Sequence, residues 1–209
     1  MKLVANVIGG TGLVGQQLIF QLLDHPDFEK VRSFVRRPSG MTHPKLEEII
    51  IDFDKTQTWK DLIQGDVLFS TLGTTIKKAR TKENRYNVDF SYQFEFALFA
   101  FENKVPTYVL VSSLGADPKS RFFYTRMKGE LEGAVSKLTF RKLIIFRPSF
   151  LDGERKEKRS GEKIMLAINY FITQFMLKKY KPTRVDLLVE RMITTSLDQS
   201  MGIRIITSV

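Results

Sequence analysis

The sequence predicts an α/β protein built on a doubly wound parallel sheet with helices on both faces. Three observations carry that expectation. Apolar strand-like runs alternate with helical patterns along almost all of the 209 residues. The strand-like runs are continuous Val, Ile, Leu and Phe, as in strands buried on both faces. The first run, Leu3-Val4-Ala5-Asn6-Val7-Ile8, passes directly into a glycine turn, Gly9-Gly10-Thr11-Gly12-Leu13-Val14-Gly15.

Each element follows in order. Leu3–Ile8 reads as the first strand. Leu18, Ile19, Leu22 and Leu23 recur at helical spacing and give a helix over Leu13–Leu23. Val31–Val35 and Leu46–Ile51 are short apolar strands, and Trp59–Ile63 fits a short helix. Asp66–Thr71 is the fourth strand, residues 82–103 a long helix, Thr107–Ser112 the fifth strand and residues 121–137 another helix. Lys142–Phe146 is the sixth strand. Residues 161–178 and Val185–Leu197 read as helices, and Ile203–Ile206 as a last strand. Repeated βα units joined by right-handed crossovers give the parallel sheet. No repeat or linker interrupts the pattern, so residues 1–209 read as one domain, with about 149–209 contributing the substrate side.

Composition narrows the function. There are no cysteines, which excludes disulfides, thiolate metal sites and cysteine nucleophiles and fits a reducing, cytoplasmic setting. His25 and His43 stand alone before prolines, so no metal site is expected. Met1-Lys2-Leu3 runs straight into the first strand, so no signal peptide is expected. No apolar run reaches the roughly 18 residues of a bilayer span. The net charge is +10, yet no basic stripe alternates with exposed aromatics, so the charge suits a polyanionic small molecule better than a nucleic acid. Phe90, Phe94, Phe96, Phe99 and Phe101 crowd the long helix beyond one face, which leaves core packing and a homodimer interface both open.

The glycine turn sits where a dinucleotide site needs one. Glycines allow a tight turn, close approach of backbone to a pyrophosphate, and close packing of helix on strand. The free N–H groups at the helix start then face the phosphates. Ligands of such sheets lie beyond the carboxyl ends of the strands. The second strand ends in Arg36-Arg37 rather than in an acid, which favours a ribose 2′-phosphate, hence NADP(H) over NAD(H). Asp52 suits the adenine amino group with Phe53 beside the ring, although Asp52 or Asp54 equally suits the cap of a short helix.

Tyr124 and Lys128 are four apart and share a helix face. A phenol with its ordinary pKa near 10 is a poor acid–base group at neutral pH, and a lysine charge beside it favours the phenolate. Ser112 and Ser113 end the fifth strand, where a hydroxyl can hold a substrate oxygen.

Together these residues resemble the short-chain dehydrogenase/reductase superfamily, whose fold is Rossmann-type. Leu72-Gly73-Thr74-Thr75, Val111 to Asp117, Tyr124 to Glu130, Phe146-Arg147-Pro148 and Arg159-Ser160-Gly161-Glu162 resemble its Tat-interacting-protein-like atypical branch. The resemblance implies an NADPH-binding oxidoreductase of a small-molecule substrate with a Ser-Tyr-Lys constellation. It implies that Gly9, Thr11, Gly12, Leu13, Val14 and Gly15 hold the pyrophosphate, and Arg36 and Arg37 the 2′-phosphate. Asp52 and Phe53 would border adenine, and Leu72 and Gly73 its ribose. Tyr124 would be the acid–base residue with Lys128 its partner, and Ser113 ahead of Ser112 the active serine. Pro148, Leu151 and Arg159 would complete the nicotinamide and substrate side. Ser149 stands where related folds often have glycine, and the chain leaves little for a substrate domain. Two other readings are a nucleotide-sugar epimerase-like enzyme and an NADPH-binding redox sensor without turnover.

Overall fold

The computed structural model describes residues 2–152 and 183–207. In chain order the strands are β1 (Leu3–Ile8), β2 (Phe28–Val35), β3 (Leu46–Ile50), β4 (Val67–Ser70), β5 (Thr107–Val111), β6 (Lys142–Phe146), β7 (Leu151–Asp152), β8 (Thr183–Arg184) and β9 (Gly202–Ile206). The helices are α1 (Leu13–Asp24), α2 (Ile76–Ala79), α3 (Lys82–Tyr86), α4 (Tyr92–Glu102), α5 (Phe123–Ser136) and α6 (Val185–Leu197). Seven of the strands form one all-parallel sheet in the order β3-β2-β1-β4-β5-β6-β9, and β7 and β8 pair separately. The doubly wound Rossmann-type sheet is therefore observed.

Side chains alternate across each central strand, so each strand feeds two cores. Val7, Phe69, Val109 and Ile144 pack under α1 and α6. Ile8, Leu68, Leu110 and Ile145 pack under α4 and α5 with Trp59 and Phe96. Strands β4 and β6 are buried at every position, while the edge strands β3 and β9 are half exposed. The strand order reverses between β1 and β4, so the loops after them flank the crevice at the switch point.

Three expectations change, and one falls outside the described residues. β2 begins at Phe28, three residues before Val31, because buried Phe28 pairs with Leu3 despite the exposed Glu29 and Lys30 that follow it. Trp59–Ile63 is not an α-helix. Short 3-10 turns at Thr56–Thr58 and Lys60–Leu62 flank Trp59, whose buried indole N–H donates to the Asp52 carbonyl at 2.9 Å. The long helix of residues 82–103 is broken by a π-helical turn at Asn87–Ser91 between α3 and α4. A side chain explains the turn: buried Gln93 donates to the Asp89 carbonyl at 2.8 Å and accepts from the Ser70 hydroxyl at 2.8 Å. Last, the expected helix over 161–178 and the expected site residue Arg159 lie outside the described residues.

Candidate active site

The glycine turn is built by sterics. Gly9 has φ +81°, and a Cβ on it would lie 2.5 Å from the Leu72 nitrogen. A Cβ on Gly15 would lie 2.2 Å from the Gly9 carbonyl oxygen, so α1 packs onto the turn only with glycine there. The Gly12 N–H closes the turn on the Gly9 carbonyl at 2.9 Å. Helix α1 has no side-chain cap and no acid in its first turn. Its leading N–H groups and dipole therefore suit an anion. Thr11 and Gly12 are exposed beside it, while Val14 is buried in the core, so Leu13 and Val14 have only backbone to offer a phosphate.

At the end of β2, Arg36 and Arg37 are exposed. Asp52 is ion-paired with Lys55 at 3.5 Å and accepts the Asp54 N–H at 3.2 Å, so it shapes the turn it stands in. Phe53 is buried, its ring 5.1 Å from that of Tyr92 and 5.7 Å from that of Phe96.

The loop after β4 connects the glycine turn to the tyrosine–lysine pair. Leu72 touches Gly9. A Cβ on Gly73 would lie 3.4 Å from Asp89 Oδ1, and the Thr74 N–H donates to Asp89 Oδ2 at 3.1 Å. The Lys128 ammonium lies 3.8 Å from Asp89 Oδ1, both groups being almost fully buried. Burial pushes the Asp89 carboxyl above its ordinary value, against the opposing pull of Lys128, the Thr74 N–H and Arg85. Arg85 Nε lies 4.0 Å from Asp89 Oδ2, and the Arg85 guanidinium carbon stands 4.5 Å from the centre of the Tyr124 ring. Asp89 and Arg85 were missed from sequence. In the sequence Asp89 is one polar residue within the helical pattern of 82–103, and the π turn and the Gln93 bridge set its position.

The two serines differ. Ser112 is buried and donates to Glu132, which also binds Arg147 through Nε at 3.1 Å and Nη2 at 2.5 Å. Ser113 is partly exposed, and among the described residues its hydroxyl makes only a 3.3 Å bond to the neighbouring Leu114 carbonyl. Its turn is seated on α5, where the Asp117 N–H donates to the Thr125 carbonyl at 3.0 Å. A Cβ on Gly129 of the same helix would lie 2.3 Å from the Asp117 backbone, so loop and helix meet without a gap. Pro148 is buried and its carbonyl accepts the Leu114 N–H at 2.9 Å; Leu151 pairs with Thr183.

A cavity of about 220 Å³ opens at the opposite, amino end of the strands, lined by Leu3, Thr107, Lys142 and Asp198 among others. Lys142, Asp198 and Ser200 there are bonded to one another, and we place no site there. Among the described residues no helix is long and apolar enough to cross a membrane.

A family model described as NAD(P)H-binding matches residues 9–152. A protein of Emericella nidulans named fmp52, mitochondrial, is 35% identical over 170 residues, spanning 77% of this chain and 73% of its own length. Its namesake FMP52, mitochondrial, in Saccharomyces cerevisiae is 37% identical over 161 residues, spanning 74% and 69%. Among solved structures, the Bordetella bronchiseptica enzyme WbmH in complex with NAD+ superposes with a TM-score of 0.75 at 15% identity, over 99% of this chain and 76% of that one. The relatives' names overturn the expectation of a cytoplasmic chain. The absence of cysteine describes a chemistry without thiols, which is as compatible with a mitochondrial setting as with a cytoplasmic one.

Proposed function

The chain belongs to the NAD(P)H-binding family, and on that premise we propose that it is an NADP(H)-dependent oxidoreductase that reduces a small carbonyl compound. The observation that carries this reading is contiguity: the glycine turn touches Leu72, the next residues of that loop touch Asp89, and Asp89 holds Lys128 one helical turn from Tyr124. A coenzyme bound at α1 thus lies on the same crevice as an acid–base pair.

The residues present fit the coenzyme. The side-chain-free cradle of Gly9, Gly12 and Gly15 and the uncapped start of α1 suit the pyrophosphate, with Thr11, Leu13 and Val14 contributing backbone. Arg36 and Arg37 suit a 2′-phosphate, and Leu72 and Gly73 the adenine ribose. Asp52 borders adenine, and Phe53, being buried, backs that wall rather than facing the ring. Pro148 and Leu151 flank the nicotinamide side. Bound NADPH supplies a hydride. Tyr124 gives its phenolic proton to the carbonyl oxygen as that oxygen takes up the bond pair. Ser113 donates a hydrogen bond to the same oxygen, its hydroxyl being free of the buried network that occupies Ser112. Lys128 holds positive charge beside the phenol and addresses the nicotinamide ribose. By the names of its relatives, the enzyme works in mitochondria.

Titration with NADPH and NADH tests the coenzyme. Replacing Arg36 and Arg37 by alanine should weaken NADPH about tenfold or more and leave NADH unchanged. Tyr124→Phe should lower kcat about a hundredfold or more with NADPH affinity retained. Undiminished turnover in that variant would refute the assignment.

A further inference from the structure

We propose that Arg85 receives an anionic group of the substrate, so that the site reduces carbonyl compounds carrying a carboxylate close to the reacting carbon. This rests on the carbonyl-reductase reading and narrows it.

The first observation is an unused guanidinium. Arg85 is only 18% exposed in its side chain, yet its Nε is buried without a hydrogen-bond partner among the described residues. Among the described residues its guanidinium meets Asp89 in the 4.0 Å ion pair and stacks over Tyr124. Arginines with a structural task in this protein look different. Arg147 grips Glu132 with Nε at 3.1 Å and Nη2 at 2.5 Å, and Arg126 donates to the Ser120 carbonyl at 3.1 Å. A guanidinium has five N–H donors in a planar fork that matches a carboxylate. Leaving the buried Nε unpaired is costly, and an anionic ligand gripped by the fork would satisfy it.

The second observation is the local charge balance. Asp89 is one carboxylate facing two cations, Lys128 at 3.8 Å and Arg85 at 4.0 Å, so one positive charge remains. Lys82, one turn earlier on α3, is countered by its neighbour Glu83 and leaves that balance unchanged. The first turn of α5 holds no acid and has no side-chain cap. Glu130, further along α5, is engaged by Arg126 at 3.9 Å and by the Tyr86 hydroxyl at 3.4 Å. The net field beside Tyr124 is positive, and Arg85 stands against the ring of the residue that protonates the substrate. An anionic group one or a few bonds from the carbonyl carbon therefore meets Arg85 when the carbonyl oxygen meets the phenol.

The step balances. Hydride from NADPH forms the new C–H bond, the C=O π pair moves to oxygen, the Tyr124 proton completes the hydroxyl, and solvent restores the phenol. The products are a hydroxy acid anion and NADP+. The carboxylate is unchanged throughout.

The test uses the full chain with NADPH and two ketones that differ only in charge, benzoylformate and its methyl ester. We expect kcat/KM for the acid to exceed that for the ester about tenfold or more. Arg85→Gln should bring the acid-to-ester ratio of kcat/KM to about one, the larger change falling on KM for the acid, and Arg85→Lys should restore part of the ratio. Equal use of acid and ester by the wild type, or equal loss of both in Arg85→Gln, overturns the proposal. If neither ketone is reduced, calorimetric binding of benzoate against benzamide to the NADP+ complex decides. Benzoate binding that Arg85→Gln abolishes keeps the anion site and places the failure in the carbonyl-reductase reading. No preference for benzoate, or one that survives Arg85→Gln, overturns the anion site itself.

Discussion

Two lysines are buried at opposite ends of the sheet, and their surroundings differ. Lys142 begins β6 at the amino end. Its ammonium donates to the carbonyls of Thr195 at 3.4 Å, Ser196 at 3.0 Å and Asp198, and to the Asp198 carboxylate at 3.1 Å. It caps the last turn of α6, where carbonyls lack helical partners and the dipole favours a cation. Lys128 lies at the carboxyl end with, among the described residues, a single ion-pair partner, Asp89 at 3.8 Å, beyond ordinary hydrogen-bond length. A buried cation with every proton assigned holds a fold together. One held by charge alone keeps donors for something else, and the glycine turn and Tyr124 lie on its side of the molecule.

Replacing each lysine by methionine probes that contrast most strongly. Lys142→Met strands three carbonyls and takes one of several partners from the Asp198 carboxylate, and should cost about 3 kcal/mol in denaturant unfolding. Asp198 carries part of that cost, since its pKa is held well below the carboxylate range, burial being outweighed by Ser200, Lys142 and Arg204. Lys128→Met leaves Asp89 the Thr74 N–H and Arg85, and should cost about 1 kcal/mol while abolishing reductase turnover. A stable Lys142→Met beside an unfolded Lys128→Met would invert the comparison.

The same contrast separates what the sequence could and could not tell. The glycine turn was legible because its cause is local: a positive φ at Gly9 and a forbidden Cβ at Gly15 depend on neighbours a few residues away. The strands were legible because double burial leaves continuous apolar runs. Tyr124 and Lys128 were legible as a pair by helical spacing, but their partners were not. Asp89 reaches Lys128 across 39 positions, and a π turn that no 3.6-residue pattern announces sets where it points. Phe53 shows a different limit: the sequence puts it beside an expected adenine but does not tell that its ring is buried against Tyr92 and Phe96.

The second prediction concerns the charge on which Lys128 depends. The Asp89 carboxyl is raised above its ordinary value by burial. A raised folded-state value means the native protein binds that proton more tightly than the unfolded chain does. The stability it contributes is full below the unfolded pKa of about 3.9 and is lost as pH rises through the raised value. Asp89→Asn removes this linkage. The stability of the wild type minus that of the variant should therefore fall as pH rises above about 4. Subtraction also cancels the acids of lowered pKa, such as Glu47, that push the other way. A difference that rises with pH would mean that the ion pair to Lys128 outweighs burial, and Lys128 would then belong with Lys142 as a held structural group.

The smallest effect extends the comparison to a third buried charge. Glu132 takes the Ser112 hydroxyl and two donors from Arg147, so by the standard of Lys142 its network is structural. Removing one of several donors from a carboxylate costs about 1 kcal/mol, because the guanidinium still neutralises the charge. Ser112→Ala should therefore lower the melting temperature by a few degrees, about 2–4 °C, and leave kcat within about threefold of wild type. Ser113→Ala should do the opposite, keeping the melting temperature and lowering kcat about tenfold or more, since its hydroxyl has only a weak local bond to lose and a substrate oxygen to hold. If Ser112→Ala is the variant that loses turnover, the saturated network around Glu132 reaches the reacting oxygen, and full hydrogen bonding no longer separates structural charges from working ones.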